Sequence, residues 1–102
     1  MSKAIAQIKI KGKDYSIRAT DHAFQRMEER GIEEEIVTGN ILLLGSAKIK
    51  ELQQQEEDIA IIDKDNKVSI IISFNNNKIM IITVIDKGNI YVKEGTKVEV
   101  LD

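Results

Sequence analysis

The stretch Thr20-Asp21-His22-Ala23-Phe24-Gln25-Arg26-Met27-Glu28-Glu29-Arg30-Gly31 decides how the chain divides. Thr20 or Asp21 suits a helix N-cap, where a side-chain oxygen accepts from a free backbone N–H. Ala23, Phe24 and Met27 share one helical face. Gly31 suits the left-handed position just past a helix end. The pattern predicts a short helix over Asp21–Arg30 with start and stop signals at its two ends.

The segments on either side have different periods. Upstream, "AIAQIKI" carries Ile5, Ile8 and Ile10 in imperfect alternation and reads as a strand. "KGKD", with Gly12, reads as a turn, and "YSIRA" as the returning strand of a hairpin. Immediately downstream, Glu33–Glu35 place negative charge where a helix dipole is positive. Ile36, Val37, Ile41 and Leu44 keep helical spacing, so a second helix is expected through Leu44, ended by Gly45. "TGN" at Thr38–Asn40 is a costly helix interior. A helix stopping at Gly39, followed by a strand "ILLL", is the alternative.

The remainder is rich in β signals. "AKIKELQQQ" reads as a strand with Ile49 inward. "DIAIID", "KVSIIISF" and "KIMIITVI" follow, separated by "KDN" and "NNN", whose residues close hairpins readily. "IYV" and "KVEVL" come last, and Tyr91 is expected to cover a sheet edge. The whole reads as an antiparallel β-meander. In Val68–Phe74 the apolar positions are Val68, Ile70, Ile72 and Phe74, with Ser69 and Ser73 opposite. Ile79–Ile85 is apolar on both faces apart from Thr83, so it wants cover on both sides. Two helices can cover one face. The other calls for the N-terminal hairpin, a second copy of the chain or another partner. The fold class is α+β in one domain spanning 1–102: a hairpin, two short helices, then a meander with the helices on one face.

Composition excludes several functions. The chain has 102 residues, 42% hydrophobic and 31% charged, which is globular rather than disordered. It contains no cysteine and no proline, so disulfides, thiolate catalysis and zinc–thiolate sites are excluded. A single histidine excludes a multi-histidine metal centre within one chain, and no cofactor is expected. No segment is long and apolar enough to span a membrane, and no secretory h-region is visible, so the expected location is the cytoplasm. The net charge is −2 and the pI about 5.5. Nucleic-acid binders are usually basic.

The opening stretch holds that one histidine and two of the three arginines. His22, Arg26 and Arg30, spaced i, i+4, i+8, form a stripe bordering the buried face of the helix. The stripe suits phosphodiester cleavage through the 2′-hydroxyl of RNA. Histidine supplies an acid or base near neutral pH. Arginine holds the phosphate oxygens as charge develops, and the first turn of a helix favours an anion. Glu28 and Glu29 partly offset the charge. From the residues alone the stripe is more readily read as the solvated side of an amphipathic helix, with Arg26 and Arg30 paired to Glu29, Glu33 or Glu34.

"DHAFQRMEERGIEEEIV" resembles the His-Ala-x-x-Arg-Met-x-x-Arg-Gly-Ile segment of a small bacterial and phage domain-of-unknown-function family grouped with RelE/ParE-like toxins. The likeness rests on His22, Ala23, Arg26, Met27, Arg30, Gly31 and Ile32, and in pattern extends over roughly Thr20 to Ile85. It implies helices packed on a twisted antiparallel sheet, similar to RelE, barnase and colicin-type ribonucleases. It also implies His22, Arg26 and Arg30 as site residues. More loosely, it implies Thr83, on the central strand, as a polar group on the cleft side. Ser73 is a rival, and Arg18 and Tyr91 are further options of more structural character. The function expected is a toxin-like, metal-independent RNA endonuclease, or an attenuated relative, from a toxin–antitoxin or mobile-element system. Its partners would be RNA, an antitoxin or immunity-type protein, and a second copy. The alternative is a non-catalytic binding or inhibitor protein acting through its sheet face or acidic surface. A homodimeric domain without activity is a third reading.

Overall fold

A computed structural model describes residues 2–54, 58–88, 90, 92 and 95–101. Among the described residues the fold is mixed α+β, with three helices and one six-stranded sheet. Strands β1 (Ser2–Ile10) and β2 (Lys13–Thr20) pair antiparallel across a turn at Lys11 and Gly12, both with positive φ. Helices α1 (Asp21–Arg30), α2 (Glu34–Leu43) and α3 (Ser46–Gln53) follow, then β3 (Ile59–Asp63), β4 (Val68–Asn75), β5 (Lys78–Ile85) and β6 (Lys97–Leu101). The strand order is β1-β2-β5-β4-β3-β6.

Helix α1 ends as its sequence dictates. Thr20 is extended, and its Oγ1 accepts from the Ala23 amide at 3.1 Å. Gly31 is left-handed at φ 63°, and the Ile32 amide returns to Met27 O at 2.9 Å. That closing pattern satisfies carbonyls the helix cannot pair internally, and only glycine adopts the conformation without strain. Helix α2 runs through Thr38-Gly39-Asn40, so the strand "ILLL" does not form. Asn40 is buried, with its side chain beside the Asp63 carboxylate but its Nδ2 short of a well-formed hydrogen bond. Packing of Val37 and Ile41 therefore sustains this helix against poor propensity.

Three expectations are corrected. First, Ser46–Gln53 is a helix, not a strand. Gly45 turns the chain at φ 85°, and Ile49 and Leu52, three apart, are both buried. That spacing places them on one helical face; in a strand they would point oppositely. Ile49 does face inward. Second, the sheet is mixed rather than an antiparallel meander. β2 pairs parallel with β5, and β6 pairs parallel with β3. The helices carry the chain from β2 across to β3, and the segment 86–96 is long enough to carry it from β5 past β4 and β3 to the far edge. Third, the hairpin extends the sheet beside β5 instead of covering its second face. Of "IYV", Ile90 and Val92 lie in no strand, and Tyr91 falls outside the described residues, as does its expected place over a sheet edge.

One hydrophobic core lies between the helices and a single face of the sheet. Ala23, Met27, Val37, Ile41, Ile49 and Leu52 from the helices meet Tyr15, Ile17, Ile59, Ile61, Ile70, Ile72, Ile79, Ile81 and Val84. The two-faced apolarity of β5 has a local cause. The β4–β5 register shifts between Ile71 and Ile72, pairing Ile71 with Thr83 and Ile72 with Ile81. Ile82 is the extra residue of a bulge, so the inward positions change from Ile79 and Ile81 to Val84. Met80, Ile82, Thr83 and Ile85 remain half-buried. Among the described residues no helix is long and apolar enough to cross a membrane.

Candidate functional site

The site begins where β2 ends. β2 pairs with β5 only as far as Ala19 opposite Ile81, so the β5 edge beyond that point loses its neighbour. Helix α1 takes over that edge. The Thr20 hydroxyl donates to Ile82 O at 3.0 Å, and Arg30 Nη1 donates to Val84 O at 3.3 Å. The carbonyls on either side of Thr83 are thus both satisfied by side chains at the two ends of the helix. This is the physical reason α1 lies where it does. Thr20 serves twice, capping the helix and fastening it to the strand.

The three stripe residues have different surroundings. His22 is exposed in the first turn of α1, two residues beyond the Thr20–Ile82 bond. Arg26 Nη1 lies 3.0 Å from Glu29 Oε1, an exposed pair of a kind worth a few tenths of a kcal/mol, about 0.3–0.5. Arg30 is held more firmly. Its Nη1 also lies 3.4 Å from Asp86 Oδ1, so the group bridges a backbone carbonyl and a carboxylate. Arg26 finds one of the glutamates the sequence offers, whereas Arg30 finds Asp86 rather than Glu29, Glu33 or Glu34. Arg30 lines a cleft of about 400 Å³ with Ile32, Ile36, Asn66, Lys67 and Asp86.

The remaining candidates are distributed over the sheet. Thr83 and Ser73 are half-buried, Thr83 opposite Ile71 and Ser73 opposite Met80. Both lie on the sheet face turned away from the helices, because Ile79, Ile81 and Val84 take the inward positions, so Thr83 is not on the cleft side expected for it. Arg18 bonds Ser2, through Nε to Oγ at 2.9 Å and Nη2 to the carbonyl at 3.0 Å, which ties the start of β1 to β2. Tyr91 is outside the described residues.

Two further features lie away from the stripe, the first with a local signal in the sequence and the second, through Glu99, without one. The β3–β4 turn is closed by Asp63, which accepts from the Asn66 amide at 3.0 Å and from Asn66 Nδ2 at 2.7 Å. Burial pushes the Asp63 carboxyl up, but the Asn66 hydrogen bonds, together with the Asn40 side chain and the Asp65 backbone, outweigh it and hold the carboxyl below the usual aspartate value. The Asp-x-x-Asn spacing is the signal for such a turn. Lys48 on α3 lies 3.5 Å from both Glu51 and Glu99, and those carboxylates raise its pKa. Among the described residues no group of three or more His, Asp or Glu side chains is arranged to hold a metal ion. The chain matches no family model, no curated protein and no solved structure.

Proposed function

We propose that the protein is a toxin-like RNA endonuclease that works without a metal, with its site at the α1–β5 junction and a RelE- or barnase-like arrangement of helices on sheet. The observation that carries this reading is the fastening of Thr20 to Ile82. It fastens to β5 the start of the helix whose first turn carries the one histidine of the chain, exposed to solvent. His22 would remove the proton from a ribose 2′-hydroxyl, and the resulting oxygen would attack the adjacent phosphorus. The 5′-oxygen would leave as a hydroxyl, taking a proton from water, and His22 would return its proton to solvent, giving a 2′,3′-cyclic phosphate. Arg26 would meet the non-bridging oxygens, since its weak exposed pairing to Glu29 yields readily to a phosphate. Arg30 contributes positive charge while holding the helix to β5.

In a bacterial host, induced expression is expected to arrest growth with loss of intact mRNA. His22→Ala, at an exposed position that leaves the fold intact, is expected to restore growth. Normal growth under wild-type expression, with folded protein accumulating and mRNA intact, would refute the reading.

A second reading has its own support. Val98 and Val100 on the β6 edge strand are 42% and 45% exposed. With half-buried Ile71, Met80 and Ile85 they give the sheet an apolar outer surface. A non-catalytic binding protein, or a homodimer, would use that surface. Such a protein would lose its partner on Val98→Asp/Val100→Asp and be indifferent to His22→Ala.

A further inference from the structure

We infer that the cleft between α1 and α2 is a docking site for a basic, amphipathic segment of another protein. This goes beyond the nuclease reading, because the cleft is lined by Phe24 and the residues from Met27 to the start of α2 and uses none of the proposed catalytic groups. The cleft measures about 540 Å³ and is lined by Phe24, Met27, Glu28, Gly31, Ile32 and the run Glu33–Glu35. Its floor is apolar, and the charged side chains that line it, Glu28 and Glu33–Glu35, are all acidic. The left-handed turn at Gly31 creates the space: it ends α1 abruptly and redirects the chain before α2 begins. A second apolar hollow, lined by Ile5, Ala6 and Leu42, continues from Glu34 and Glu35 along α2.

Charge complementarity names the occupant. The nearest arginines do not neutralise the rim, since Arg26 is engaged by Glu29 and Arg30 by Asp86. A cation already rests at the margin, with Lys3 Nζ 5.6 Å from the centroid of the Phe24 ring. That contact shows the cation-over-aromatic chemistry a partner's Lys or Arg would share. The apolar floor adds a requirement for a large apolar side chain between the basic ones. A second copy of this chain meets only half of it. Its basic hairpin tip offers exposed Lys11, Gly12 and Lys13, but the adjoining Ile10 is buried. A basic tip without an apolar anchor would leave the floor unfilled.

The test is an NMR titration of the full chain with a synthetic amphipathic Lys/Leu peptide, beside a Lys/Ser peptide of equal charge. The expected result is saturable binding of the Lys/Leu peptide with amide shifts confined to the neighbourhood of Phe24–Glu35, and much weaker binding of the Lys/Ser peptide. The pair Glu28→Lys/Glu33→Lys is expected to weaken binding about tenfold. Glu28→Lys suits the fold because Glu28 lies near the C-terminus of α1, whereas Glu33→Lys gives up a favourable charge at the start of α2, at a small cost in stability, without losing a capping bond. Asp58→Lys/Asp65→Lys, an equal change of net charge at exposed positions outside the cleft, is expected to leave binding unchanged. The inference is overturned by equal binding of the two peptides or by no binding. It is also overturned by an equal loss in the control pair, or by concentration-dependent self-association that produces the same shifts without peptide.

Discussion

Thr20 is one side chain with two hydrogen bonds of different kinds. Its oxygen accepts from the Ala23 amide and its hydroxyl donates to Ile82 O. Thr20→Ala removes both and is expected to cost about 1–2 kcal/mol, read as a lower urea midpoint. Thr20→Ser, which keeps both bonds, is expected to stay close to wild type. Asp63 supplies the residue-scale pH dependence. Its carboxyl titrates below the unfolded value, so its contribution is fully present above the ordinary aspartate pKa. It is lost as pH falls through the depressed folded value. Stability measured downward from neutral pH should therefore fall less steeply in the acid range for Asp63→Asn than for wild type. Thr20 and Gly31 were legible because caps are local chemistry. The Arg30–Val84 bond spans 54 positions, and no local pattern announces it.

At the scale of elements, short windows are where periodicity misleads. Lys48-Ile49-Lys50 alternates like a strand, and only the step from Ile49 to Leu52 carries the helical period. Helix α3 is eight residues long, too short for a repeat to build up. Strand β5 gives the complementary lesson. Its apolar run fits a strand buried on both faces, yet part of the run arises from a bulge that switches which positions face inward. The bulge makes a discriminating prediction. Ile81→Ala, at a fully buried position, is expected to cost about 2–5 kcal/mol. Ile82→Ala, at the half-buried bulge residue next to it, should cost markedly less. Chemical denaturation of the two variants checks this. Similar losses would mean that the bulge does not set the inward face.

At the scale of the molecule, the α+β class followed from the capped helix between two β-rich regions. The mixed sheet did not, because parallel pairing depends on where long connections travel, and sequence alone gives no direction to a crossover. Charge is distributed as unevenly as polarity. The hairpin carries Lys3, Lys9, Lys11, Lys13 and Arg18 against Asp14, whereas the α1–α2 junction carries Glu28, Glu29 and Glu33–Glu35. An acidic chain with net charge −2 gains little long-range attraction to RNA. The nuclease reading therefore rests on local contacts at the α1–β5 junction, and RNA association should depend only weakly on salt compared with that of a basic binder. A steep salt dependence would indicate that RNA is held by the lysine-rich hairpin instead.

The central claim is most directly tested by incubating purified protein with RNA in excess chelator, with and without ribosomes, and analysing the product ends by mass spectrometry. The account predicts cleavage leaving 2′,3′-cyclic phosphate ends in at least one of the two conditions, abolished by His22→Ala in protein that remains folded. No cleavage by the folded wild type in either condition, or equal cleavage by His22→Ala, would contradict it.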